Sequence, residues 1–254
     1  MNRWVGKIAV VTGASSGIGL SITKELVNNG LIVVGLARRL DLLEDLQNQI
    51  SYDNNVGKFY SYKCDVSSLD SIIEAFTWIN EKFGRINILI NNAGIVRYCG
   101  ILTTGNEEEI KKLMEINFMG AIFCTKQMYD IMKDKEEECH IINMNSVLGH
   151  STPFSIASMT YNLYPSSKFA LKAATEVIRQ ELIEKKSFRI SNISPGLVKT
   201  ELCHAGNHPY ADVIMGSAEI LLPEDISRTI IFILESPQHV QISELIIMPV
   251  GQKF

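Results

Sequence analysis

Read from its amino terminus, the chain alternates short apolar runs with longer stretches in which apolar positions recur every three or four residues. The first pattern suits a strand and the second an amphipathic helix. Strand-length runs fall at 7–12, 31–37, 58–64, 86–91, 140–144, 188–193 and 245–248, and helical periods at 18–29, 41–50, 68–83, 106–133, 166–185 and 223–234. Runs such as IAVVT, IVVG and INILI are apolar throughout, the pattern of parallel strands covered on both faces. The punctuation agrees. Gly30 and Gly84 close two helical stretches, an Asn106 cap precedes Glu107, Glu108 and Glu109, and Pro223 opens the last helix, each residue placed where helix ends favour it.

Strict alternation of strand and helix predicts an α/β fold, a doubly wound parallel seven-stranded sheet with helices on both faces. No repeat, low-complexity tract or Pro/Gly/Ser-rich linker interrupts residues 1–254, so a single domain is expected. Composition narrows the class further. Of 254 residues, 46% are hydrophobic and 20% charged, enough apolar material for a large core. A net charge of −4 without any block of basic residues argues against nucleic acid or an anionic membrane as partner. No apolar stretch approaches the roughly 18 residues of a membrane span, and the start lacks the continuous apolar region of a signal peptide. Cys64, Cys99, Cys124, Cys139 and Cys203 are irregularly spaced, which suits free thiols and a cytoplasmic protein better than disulfides or zinc. His150, His204 and His208 have no acid or cysteine at ligand spacing and read as loop histidines, with no metal expected.

The first candidate chemistry lies between the first strand and first helix. There the sequence TGASSGIG supplies Gly13, Ser15, Ser16, Gly17, Ile18 and Gly19. Small residues let backbone amides approach a pyrophosphate at a helix N-terminus. The spacing is G-x-x-x-G-x-G, not the commoner G-x-G-x-x-G. The second strand ends in Ala37-Arg38-Arg39. An NAD site usually offers an acid there, whereas a cation suits the 2′-phosphate of NADP(H). Arg38 is the expected contact, and Arg39 is either a second one or a solvated start to the next helix. The second candidate is Tyr164-Pro165-Ser166-Ser167-Lys168. A phenol and an ammonium four residues apart share one helix face, and a nearby cation favours phenolate in an otherwise weak acid. Ser146 follows the fifth strand, the end at which open α/β sheets bind ligands.

Together these motifs make the chain resemble the short-chain dehydrogenase/reductase family over essentially its whole length. The residues that carry the resemblance are TGASSGIG, Cys64-Asp65-Val66, NNAG at 91–94, Asn117, Ser146, YPSSK at 164–168 and PGLVKT at 195–200. The resemblance implies a Rossmann-type fold and a set of roles. Tyr164 would be the general acid/base, Ser146 would hold the substrate oxygen, and Lys168 would bind the nicotinamide ribose and lower the tyrosine pKa. Asn117 would support a proton-relay water. Asp65 and Val66 would line the adenine site and Asn92, Ala93 and Gly94 its ribose. Within PGLVKT, Pro195 and Gly196 belong to the cofactor motif, and Val198 and Thr200 would address the carboxamide or phosphates. A homodimer or homotetramer through helices 106–133 and 166–185 is also implied.

Trp4-Val5-Gly6-Lys7, Ala37-Arg38, Gly149-His150 and Pro249-Val250-Gly251 further resemble the NADP-dependent farnesol dehydrogenases of insects and related hydroxysteroid dehydrogenases. Tyr164 lies 164 − 146 = 18 residues past Ser146, more than is common in the family. The extra segment, 151–163, carries Phe154, Ile156, Met159 and Leu163. A second segment, 201–222, carries Tyr210, Val213, Ile214, Met215, Leu221 and Leu222 with glycines Gly206 and Gly216 as hinges. Either these residues wall an apolar pocket under a lid or they pack a short helix on the sheet. The expected substrate is an apolar alcohol, aldehyde or ketone of isoprenoid or steroid type. The alternatives are an NADPH-binding regulatory protein or a broad-specificity carbonyl reductase.

Overall fold

The structure, a computed structural model, describes residues 1–52, 57–152, 160–208, 211–212, 216 and 220–252. Its strands are β1 (Ile8–Thr12), β2 (Ile32–Ala37), β3 (Lys58–Lys63), β4 (Ile88–Asn91), β5 (Cys139–Met144), β6 (Phe188–Pro195) and β7 (Glu244–Ile247). They form one sheet in the order β3-β2-β1-β4-β5-β6-β7, every pairing parallel. The order reverses between β1 and β4, a switch point that opens a crevice at the carboxyl ends of the strands. This is the predicted Rossmann-type sheet.

The helices are α1 (Gly17–Asn28), α2 (Leu40–Tyr52), α3 (Leu69–Phe83), α4 (Glu107–Met114), α5 (Gly120–Met132), α6 (Tyr164–Glu181), α7 (Leu202–Ala205) and α8 (Pro223–Glu235). On one face, Ile22 and Leu26 of α1 and Ile226, Ile230 and Ile233 of α8 join Ala9, Val11 and Ile90 in a buried cluster. On the other, Ile72, Phe76 and Ile79 of α3 and Cys124, Met128 and Met132 of α5 cover Val10, Leu89 and Ile141. Each large aliphatic side chain so buried contributes about 1.5–3 kcal/mol, which is why uniformly apolar strands appear in the sequence. Ser68 caps α3 by accepting from the Ser71 amide at 3.3 Å. The five cysteines are free.

The helix expected over 106–133 is divided. Between α4 and α5, residues Glu115–Met119 form a π turn, an insertion that leaves the 3.6-residue period nearly intact in sequence. The turn carries Asn117. The Asn106 side chain does not cap α4; its amide donates to the Gly100 carbonyl at 2.8 Å. The helix expected from 166 starts two residues earlier, with Pro165 in its first turn, so that Tyr164 is helical.

Polar side chains also cross the core. Asn91 of β4 donates to Asn143 of β5 at 2.8 Å and to Thr125 of α5 at 3.0 Å, and Asn143 donates to Thr175 of α6 at 2.8 Å. Buried polar groups need such partners, and these bonds fix both helices beneath the strand ends that open on the crevice. Among the described residues no helix is long and apolar enough to cross a membrane.

Candidate active site

The turn between β1 and α1 is built by close approach. Gly13 and Gly17 have φ of +67° and +54°, a region costly for other residues. A Cβ on Gly19 would lie 2.2 Å from the Gly13 carbonyl oxygen. Across the switch point, Asn92 Nδ2 donates to the carbonyls of Thr12 at 2.9 Å and Gly13 at 3.3 Å. The Thr12 hydroxyl accepts from the amides of Asn92 and Ala93, both at 3.0 Å. Asn92 therefore braces the glycine turn. The first turn of α1 contains no acid, and its amides face the crevice with the positive end of the helix dipole.

Two arginines flank this cradle differently. Arg39 Nη2 donates to the hydroxyls of Ser15 at 3.2 Å and Ser16 at 2.8 Å, and its Nη1 lies 3.7 Å from Glu201. Arg38 acts on Asp65. Burial opposes ionisation of that carboxyl, but hydrogen bonds from Ser67 and the charges of Arg38 and Lys112 hold it below the usual range. Val66 lies over Gly120, where a Cβ would come 2.6 Å from its carbonyl oxygen. Thr200 touches the turn, its Cγ2 3.2 Å from where a Gly17 Cβ would stand. Glycine cradle and acid-free helix start together fit a nicotinamide dinucleotide.

At the end of β5, Ser146 caps a short 3-10 turn, Val147–Gly149, by accepting from Leu148 N at 3.1 Å. The Ser146 hydroxyl also neighbours the Tyr164 phenol. Burial pushes that phenol up to about 12, with Cys203 and Tyr161 adding to the rise and Ser146 opposing it. Lys168 Nζ donates to the Met144 carbonyl at 2.7 Å and sits 5.6 Å from the Tyr164 ring centre. Burial pushes this ammonium down to about 8. In the chain by itself the phenol is raised, because desolvation outweighs the opposing Ser146 hydroxyl.

Asn117 lies against this pair. Its Oδ1 accepts from Ile95 N at 2.8 Å, and its Nδ2 donates to Ile95 O at 2.8 Å and Ser167 Oγ at 3.2 Å. A Cβ on Gly94 would stand 3.5 Å from Asn117 Oδ1 and 3.9 Å from Lys168 Nζ, so the NNAG segment, the π turn and α6 meet at one point. Pro195 ends β6 beside β7, and Gly196 is crowded by Pro249 and Gln252.

Apolar side chains surround Tyr164: Val96 and Leu113 are buried with it, and Tyr98, Leu148, Tyr161, Leu163 and Leu202 pack around them. Two surface cavities of about 580 and 560 Å³ lie elsewhere, one around the end of α6 and one along β7. Of the expected pocket walls, Leu163 is in place, while Phe154, Ile156, Met159, Tyr210, Val213, Ile214 and Met215 lie outside the described residues. Leu221 instead packs on the core beside α8 and Leu222 is its exposed N-cap, because Pro223 has to be preceded by extended backbone. Gly206 is a close-contact position; a Cβ there would lie 2.7 Å from Val96 Cγ1. His204 pairs with Asp212 at 2.9 Å and His208 meets Tyr98 edge-on. His150 is no simple loop residue: it contacts Lys172, Ser194 and Glu244.

A family model described as short chain dehydrogenase matches residues 7–210. The chain is 41% identical over 255 residues to a farnesol dehydrogenase of Aedes aegypti, covering 100% of both. It is 36% identical to dehydrogenase/reductase SDR family member 11 of Gallus gallus, covering 99% of each. Among solved structures, an alcohol dehydrogenase from the archaeon Thermococcus sibiricus, complexed with 5-hydroxy-NADP, superposes with a TM-score of 0.82 at 26% identity, covering 97% of this chain and 98% of the other.

Proposed function

Because the chain belongs to the short-chain dehydrogenase family, we propose that it is an NADP(H)-dependent oxidoreductase that interconverts an apolar alcohol and its aldehyde or ketone. The observation that carries the reading is Tyr164, beside Ser146 and Lys168, inside an apolar cluster at the crevice that two arginines and a glycine cradle border. Relatives named for farnesol and for NADP support the finer choice.

The bound nicotinamide would supply a hydride acceptor or donor. The chain does the rest. Gly13, Gly17, Ile18 and Gly19 present backbone to the pyrophosphate, and Arg38 and Arg39 offer charge to a 2′-phosphate. Asp65 and Val66 flank the adenine side, and Asn92, Ala93 and Gly94 the ribose. Pro195, Gly196, Val198 and Thr200 line the nicotinamide side. Ser146 holds the substrate oxygen against Tyr164, whose phenol takes up or returns the proton, and Asn117 holds the frame through which that proton reaches solvent. Burial raises the phenol and lowers the ammonium, so of the two Lys168 gives up its proton first.

Initial rates of NADPH and NADH formation across a panel of alcohols test the reading. Turnover of chains of about 10–20 carbons, at least about tenfold faster with NADP⁺ than with NAD⁺, is expected from a bidentate arginine contact and an apolar wall. Selective oxidation of sugars, or a preference for NAD⁺, would reject it.

A further inference from the structure

The 3-10 turn that carries Ser146 is anchored by a polar cluster outside the catalytic group. His150 closes that turn. Its Nδ1 lies 3.0 Å from Lys172 Nζ, and its Nε2 lies 2.8 Å from Ser194 Oγ and 3.5 Å from Glu244 Oε1. Ser194 in turn donates to Glu244 Oε1 at 3.0 Å, and Asn192 Nδ2 donates to both Glu244 oxygens at 2.9 and 3.1 Å. The ring thus faces Lys172 from α6, Ser194 from β6 and Glu244 from β7. The imidazole is 14% exposed and Ser194 fully buried.

The order of protons follows from chemistry. An ammonium only donates and a carboxylate only accepts. Lys172 therefore requires a bare Nδ1, which places the ring proton on Nε2, pointing to Ser194, whose own proton points to Glu244. Serine, histidine and glutamate in contact do not make a hydrolytic site here: the acid lies on the serine side instead of at Nδ1, where it would orient a base, and the buried hydroxyl meets no substrate.

We infer that His150 is a positioning residue for Ser146: the directed chain from Lys172 through His150 and Ser194 to Glu244 clamps the serine turn to α6, β6 and β7. The turn has no slack to absorb the loss of that clamp, since a Cβ on Gly149 would already stand 2.7 Å from Asn145 Oδ1.

The test compares wild type with His150→Gln and His150→Phe, each checked for folding by its melting transition, using NADP⁺ and the best alcohol of the panel. Glutamine keeps one acceptor and one donor, so His150→Gln should hold kcat within about threefold of wild type, and His150→Phe should lose about tenfold in kcat with cofactor KM unchanged. The kinetic part rests on the oxidoreductase reading. Nitrogen-15 NMR of the ring does not, and should show the proton on Nε2 of the neutral ring. A loss in His150→Gln as large as that in His150→Phe, full activity in His150→Phe, or an Nδ1–H ring would each overturn the inference. A protein that turns over no alcohol yet shows the Nε2–H ring would overturn the functional reading and leave the clamp standing.

Discussion

Tyr164→Phe is expected to lower turnover about a thousandfold while leaving NADPH affinity within about threefold, as the loss of a positioned acid/base does. The phenol is buried beside Ser146 and packed among Val96, Leu113 and Leu163. Removing its oxygen keeps the ring in that cluster and costs at most about 1 kcal/mol. The glycine cradle, Arg38 and Arg39 belong to other elements and do not touch it. Initial rates together with fluorescence titration of NADPH separate the two effects. A variant that keeps most of its activity would remove Tyr164 from the proton transfer.

Lys168→Met should be nearly as damaging, with a different pH signature. Burial holds the ammonium near 8 and the phenol near 12. In the wild type the pair can give up its first proton near the lower value, so alcohol oxidation should rise with pH up to about 8 and then level. Without the lysine only the phenol remains. At about pH 8 the rate should fall about a thousandfold and keep climbing with pH. Stability changes in a predictable direction too. The folded lysine titrates near 8 and its ordinary value is 10.5. Between these values the unfolded chain binds more protons, so wild-type stability rises with pH there. Lys168→Met should lack that rise. Chemical denaturation at several pH values checks the second point and a pH–rate profile the first; a profile that levels near pH 8 in the variant would contradict the pairing.

The strand pattern was legible because both faces of the sheet are covered, so IAVVT and INILI are apolar except at Thr12 and Asn87 and do not alternate. Tyr164, Lys168 and Ser146 were legible because helix spacing and strand ends carry them to one place. The π turn at Glu115–Met119 was not, since one displaced turn scarcely alters the helical period while it brings Asn117 against Ile95. Nor were contacts between distant segments. His150 meets partners 22, 44 and 94 residues away, and no local spacing announces them. Arg39 reads equally as a phosphate contact and as a helix start, and no local spacing shows that the fold sets Ser15 and Ser16 beside it. Asn92, expected only at a ribose, also holds the glycine turn through Thr12 and Gly13, a use visible only where β1 and β4 lie side by side.

The central claim is that the crevice above Tyr164 passes a hydride between an alcohol carbon and a nicotinamide. The most direct measurement gives the protein NADP⁺ and an alcohol from the panel deuterated at its carbinol carbon, then weighs the reduced cofactor by mass spectrometry. The account predicts deuterium in the NADPH formed by wild type and almost none formed by Tyr164→Phe. Deuterium retained in the alcohol or lost to water, with NADPH binding intact, would contradict it.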